Sequence, residues 1–186
     1  MKKFLPFVFF ILAFCLVIAG QVGWQTLNAG TSSQVASRYS SYEDLFLKGE
    51  FQTIDGKKIV NTKIKSPIVI YNFWASWCAP CMEEMPSLLS MKKKFKDEEL
   101  QVLSFNTDET DQLINIKKVF KKFNIKDEFI AIADKNTKIA DSFKFTAIPV
   151  TIIFNRGKVV QFSNGPMDFD SPELIGKLRN WANETL

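Results

Sequence analysis

The chain has 186 residues, enough for one domain of ordinary size and an additional segment. Its 46% hydrophobic content can supply a core, and its formal charge of +4 is spread over lysine runs such as Lys92-Lys93-Lys94 and Lys117-Lys118. These runs read as solvated helix faces, so nucleic acid is not an expected partner. The absence of histidine excludes Cys-His and Ser-His catalysis and any histidine metal ligand.

At the N-terminus, Lys2 and Lys3 precede an apolar stretch from Phe4 to Ala19, and no further charge occurs before Arg38. Extended through Trp24, which suits a membrane interface, the stretch reaches the roughly 20 residues that a span needs. Residues 1–24 are therefore expected to form a signal or transmembrane segment. An uncleaved anchor is the preferred form, and a signal peptide cleaved after the small-residue site at Val17-Ile18-Ala19 is the alternative. In both forms the remainder is exported, because the positive flank stays inside. Cys15 lies within the apolar run and reads as filler. Residues 25–41, QTLNAGTSSQVASRYSS, are small and polar and read as a flexible linker. The folded domain is expected over 42–186.

Within that domain, Asp55-Gly56 between two short runs signals a hairpin. SPIVIYNFW, bounded by Pro67, is a continuous apolar run expected to be a strand buried on both faces. Ala79 to Phe95 places Met85, Leu88, Leu89 and Phe95 near helical spacing, with Pro86 as a predicted kink. LQVLSF is a second strand, and Leu113, Ile116, Phe120 and Phe123 mark a second helix. FIAIA is a third strand, followed by a short helix over Asn136 to Phe143. VTIIF and KVVQFS flank the turn NRG as a hairpin. Ser171-Pro172 caps and opens a last helix whose buried face is Leu174, Leu178 and Trp181. This alternation predicts an α/β layer fold with a mixed sheet.

The chemistry concentrates in NFWASWCAPCMEEMP, Asn72 to Pro86. Cys78 and Cys81 could be a metal clip, a structural disulfide or a dithiol that cycles. Only these two cysteines are spaced for a zinc site that wants four ligands. A disulfide closing so short a loop would constrain the unfolded chain little. Cys78 falls between a buried strand and a helix, where free backbone N–H groups and the positive dipole end lower a thiol pKa. Cys81, on the first helical turn, can reach Cys78 but lies farther inside. That asymmetry suits an attacking and a resolving thiol, and the cycling dithiol is the preferred reading.

NFWASWCAPC, with IPVTIIF and NRGKVV downstream, resembles the thioredoxin superfamily. More narrowly, it resembles the membrane-anchored, exported thioredoxins of the TlpA/ResA type. The likeness covers about Phe51 to Trp181, and the helix and strand between about Asn106 and Ala133 look like that subfamily's central αβ insertion. It implies a thioredoxin-like fold with Cys78 as the attacking and Cys81 as the resolving cysteine. Glu84 matches the buried acid of the ResA-type proteins, and Asn72 stands where ordinary thioredoxins have a buried aspartate. Trp77, Pro80 and the cis-proline Pro149 match positions around the dithiol. Ala147 replaces a common glycine. Asn72 cannot accept a proton, whereas Glu84, one turn beyond Cys81, can. Glu83 is expected at the surface. Pro149 would leave the carbonyl and amide of Ile148 open to an extended substrate strand, so Trp77, Pro80, Ile148 and Pro149 are the expected substrate-binding residues. Trp74 and Trp77 are expected to be part core and part rim.

The resemblance implies a thiol–disulfide oxidoreductase that needs no cofactor. It would be held in a bacterial cytoplasmic membrane with its catalytic domain facing the periplasm or cell exterior. Its partners would be extracytoplasmic protein disulfides, apocytochrome c among them, and a transmembrane reductant donor. One alternative is an oxidase or isomerase, although strong oxidants of this fold usually carry histidine where Ala79-Pro80 stands. Another is a copper-delivery or assembly factor that holds metal on the dithiol, for which histidine would be the normal companion.

Overall fold

The computed structural model describes residues 16–18, 21 and 35–184. The expected anchor, 1–24, lies outside them apart from four residues, and among the described residues no helix is long and apolar enough to cross a membrane. The chain divides into two units, Met1–Ser41 and Tyr42–Leu186. Residues 35–47 are helical (α1). The helix corrects the expected linker, whose residues 35–41 are helical and whose residues 25–34 lie outside the described part. Its serines hide the helix in composition, but Tyr42 and Phe46, four apart, give it a buried stripe.

The second unit begins with a small hairpin, β1 (Glu50–Gln52) and β2 (Lys58–Val60), which pair antiparallel around the Asp55-Gly56 turn. The main sheet is built on β3 (Ile68–Trp74), every residue of which is buried. It is flanked by the parallel strand β4 (Leu100–Asn106) and the antiparallel strand β6 (Val150–Asn155). The edges are β5 (Phe129–Ala133), parallel to β4, and β7 (Lys158–Asn164), antiparallel to β6. The order is β5-β4-β3-β6-β7, a mixed sheet. Arg156 and Gly157, both at positive φ, close the β6–β7 hairpin, the conformation that matches strand twist. Parallel neighbours require crossovers, supplied by α2 (Ala79–Lys92) between β3 and β4 and α3 (Gln112–Phe123) between β4 and β5. Helices α4 (Lys138–Ser142) and α5 (Pro172–Asn183) complete the unit, with Ser171 accepting from the Leu174 amide as the cap of α5.

Side chains alternate across the sheet. On one face Ile68, Ile70 and Trp74 pack with Met85 and Leu88 of α2, Ile116 and Phe120 of α3, and Leu174 and Leu178 of α5. Each such side chain taken from water contributes about 1.5–3 kcal/mol. On the other face, Tyr71 and Phe73 stand among aromatic rings. Tyr71 lies 4.9 Å from Phe105, 5.0 Å from Phe154 and 5.9 Å from Phe46 of α1, and Phe73 lies 5.6 Å from Phe143. The open edge of β5 is partly covered by the β1–β2 turn, where the Ile54 amide donates to the Ala131 carbonyl at 3.0 Å.

Two expectations shift. Leu113 is largely exposed, and Val119 takes its place on the buried side of α3. Lys92 is buried rather than solvated, and its ammonium donates to Asp97 Oδ1 at 2.7 Å and the Phe95 carbonyl at 3.3 Å. Helix α2 runs unbroken through Pro86.

Candidate active site

Strands β3, β4 and β5 are parallel, so their carboxyl ends lie at one end of the sheet, where open α/β sheets place their ligands. The chain leaves β3 at Trp74 and turns through Ala75 to Cys78, where the Cys78 amide donates to the Ala75 carbonyl at 3.1 Å. Cys78 is the N-cap of α2, and its sulfur accepts from the Cys81 amide at 3.3 Å. Pro80 sits in the first turn, where a missing N–H costs no helical bond. Cys78 and Cys81 form a disulfide with Cα atoms 5.3 Å apart. The burial asymmetry expected of the two cysteines is small, at 4% and 0% exposure, and position on the helix distinguishes them more than depth does. Trp74 is fully buried, its indole N–H donating to Ser104 Oγ at 2.7 Å, whereas Trp77 is 72% exposed. The two tryptophans thus separate cleanly into core and rim.

Glu84 lies one turn beyond Cys81 and is 4% exposed, while Glu83 faces solvent. The Glu84 carboxylate accepts from Asn72 Nδ2 at 2.9 Å and from the Met167 amide at 3.1 Å. Asn72 also donates to Thr151 Oγ1 at 3.2 Å. Burial pushes the Glu84 carboxyl above its ordinary range, opposed by the two donated hydrogen bonds. A buried carboxyl raised in this way is a better match for a thiol proton than a solvated one.

Val150 pairs with Phe73, so the residues preceding β6 lie at the same end of the sheet as the dithiol turn. The Ile148–Pro149 bond there is cis, Pro149 is buried, and Ile148 is half-buried. Among the described residues, no hydrogen bond engages the amide or carbonyl of Ile148. The residues expected from the sequence thus fall on the turn after β3, on α2 and on the approach to β6, and the turn and that approach lie at the same end of the sheet.

Sequence reasoning missed the segment that follows β4. The Thr107 amide donates to the Trp74 carbonyl at 2.8 Å, and the buried Asp108 accepts from the Ser76 amide at 2.8 Å. Asp108 lies just past the carboxyl end of a parallel strand, a position that could have singled it out. The contribution of Met167 through its backbone left no sequence signal.

The fold and its dithiol define a thioredoxin-like thiol–disulfide oxidoreductase, and comparison with known proteins gives the same class. The model of the AhpC/TSA family matches residues 43–163, and the chain belongs to that family. The chain is 33% identical over 109 residues to a thiol-disulfide oxidoreductase ResA of Bacillus cereus, covering 58% of this chain and 61% of that one. It is 26% identical over 153 residues to the ResA protein of Bacillus subtilis, covering 82% of each. Among solved structures, StoA of Bacillus subtilis superimposes with a TM-score of 0.56 at 22% identity, covering 73% of this chain and 96% of that one. A secreted disulfide oxidoreductase of Mycobacterium tuberculosis superimposes at 0.60 with 20% identity, covering 74% and 98%. Both show the fold.

Proposed function

We propose that this protein is a membrane-tethered reductant of disulfides in extracytoplasmic proteins, with the cysteine pair of an apocytochrome c as one kind of client. The observation that carries the reading is the Cys78–Cys81 pair at the N-terminus of α2, set at the same end of the sheet as an Ile148 backbone that is unpaired among the described residues. An extended client segment pairs with Ile148 and lies against Pro149, Trp77 and Pro80. The Cys78 thiolate attacks one client sulfur, the client disulfide breaks, and the other client sulfur leaves as a thiolate. Cys81 passes its proton to Glu84 and attacks the Cys78 sulfur of the mixed disulfide, releasing the second client thiolate. The client gains two electrons, and the protein is left as the disulfide. A membrane-embedded dithiol donor returns those two electrons, because the exterior lacks a reducing thiol pool. Ala79-Pro80 supports the reducing direction: without a cation between the cysteines, the reduced form gains no extra stabilisation of its thiolate.

Expression of the intact Cys81→Ser chain in a bacterial host tests location and client class together. Cys78 should then hold clients as mixed disulfides that sediment with membranes, and reductant should release exported cysteine-pair proteins from them. Adducts found only in the soluble cytoplasmic fraction, or only with cytoplasmic proteins, would refute the placement.

A further inference from the structure

The turn that presents Cys78 is held from outside by the segment following β4. The Trp74 carbonyl, at its start, accepts from the Thr107 amide at 2.8 Å and the Thr107 hydroxyl at 3.3 Å. At its middle, the Ser76 amide donates to Asp108 Oδ1 at 2.8 Å. The other carboxylate oxygen of Asp108 accepts from Asn106 Nδ2 at 3.1 Å, and Asn106 Oδ1 accepts from the Asp108 amide at 3.3 Å. This reciprocal pair fixes the orientation of the carboxylate. The backbone of Asn106 is fixed in turn, its carbonyl accepting from the Asp134 amide at 2.9 Å and Gln112 Nε2 at 3.1 Å. A chain of contacts through the buried Asn106 and Asp108 therefore runs from the end of β5 and the start of α3 to the dithiol turn. Asp108 is 3% exposed, and a buried carboxylate is retained only where its bonds are made.

We propose that Asp108 is a positioning residue for the attacking thiol. It holds the Ser76 amide, so that Cys78 keeps its place as the N-cap of α2 with its sulfur on the Cys81 amide. The inserted αβ unit is then the rigid support of the dithiol as well as an extension of the sheet. This inference rests on the reading of Cys78 as the attacking cysteine.

The test compares Asp108→Ala with Asp108→Asn. Asparagine keeps an oxygen for the Ser76 amide but loses the bond to Asn106 and the charge, whereas alanine loses all three. The readout is the rate of Cys78 alkylation in the reduced protein at fixed neutral pH, located by mass spectrometry, beside the melting temperature. Asp108→Ala should slow Cys78 alkylation by about tenfold, and Asp108→Asn should recover most of that loss. Equal rates in the two variants, whatever their melting temperatures, would overturn the proposal. If Asp108→Ala does not fold, hydrogen exchange of the wild-type Ser76 amide decides. The amide should be protected well beyond an open-chain value, and an unprotected Ser76 would overturn the proposal. If Cys81 is instead alkylated first in the wild type, the assignment of Cys78 fails, independently of Asp108.

Discussion

Cys78→Ser is expected to reduce disulfide turnover to the uncatalysed background while leaving the fold in place. A serine hydroxyl at the same position keeps a cap for α2, since serine is among the best N-cap residues. It cannot form the mixed disulfide, because the hydroxyl stays protonated near neutral pH and offers no sulfur. Loss of the cross-link itself is a modest stability effect, because the sequence separation is only 3. Loop-closure entropy for so short a ring is about 2 kcal/mol. Reduction of insulin or a model disulfide peptide should therefore collapse while the urea midpoint moves little from that of the reduced wild type. Substantial turnover through Cys81 alone would show that the roles are reversed.

The second large effect falls on Glu84→Gln, which keeps the shape and removes the base. Resolution of the mixed disulfide should slow by about a hundredfold, the scale of a lost general base. The first attack by Cys78 should change much less. Stability adds an independent signature. Burial raises the folded-state pKa of Glu84 above the ordinary 4.5. The stability associated with the protonated group is fully present below the unfolded value and is lost as pH rises through the folded one. Glutamine does not titrate, so the variant should gain stability relative to wild type as pH climbs from below 4.5 and level off above the raised pKa. A pH-independent offset of about 1 kcal/mol accompanies this, because Asn72 and the Met167 amide donate to different carboxylate oxygens and glutamine replaces one of the two with an NH2 that cannot accept. Glu83→Gln, at an exposed position of the same helix, should reproduce neither effect. If Glu84→Gln matches wild type in resolution rate and in its stability–pH curve, Glu84 does not take the proton.

Pro149 and Glu84 stand out through the resemblance to the TlpA/ResA type, since a proline opening an apolar run and an acid in a helical turn are ordinary by themselves. Cys78 and Cys81 stand out unaided because their signal is local, a three-residue spacing between a buried strand and a helix. The strands of the central sheet were legible for the same reason, since a run such as IVIYNFW can be satisfied only by burial on both faces. What was not legible depends on contacts between distant residues. Ser76 and Asp108 are 32 residues apart, and Glu84 and Met167 are 83 apart. Neither bond leaves a period or a spacing in the chain. Lys92 reads as one of three surface lysines until the fold brings the Phe95 carbonyl and Asp97 to its ammonium. Leu113 sits at a helical spacing that suits burial, yet the first turn of α3 leaves it in solvent. Helix α1 was obscured by serines, whose helix preference is weak, and is held instead by Tyr42 and Phe46 against the aromatic face of the sheet.

The reduction potential of the Cys78–Cys81 pair tests the central claim most directly. The protein would be equilibrated with glutathione buffers of known ratio, quenched in acid, and its free thiols counted. A reductant with Ala79-Pro80 between its cysteines should have a potential below about −220 mV, in the range of thioredoxins rather than of strong oxidants. It would then remain largely oxidised in a buffer that fully reduces an oxidase of the same fold. A value near about −120 mV would place it among the disulfide donors and contradict the reducing role.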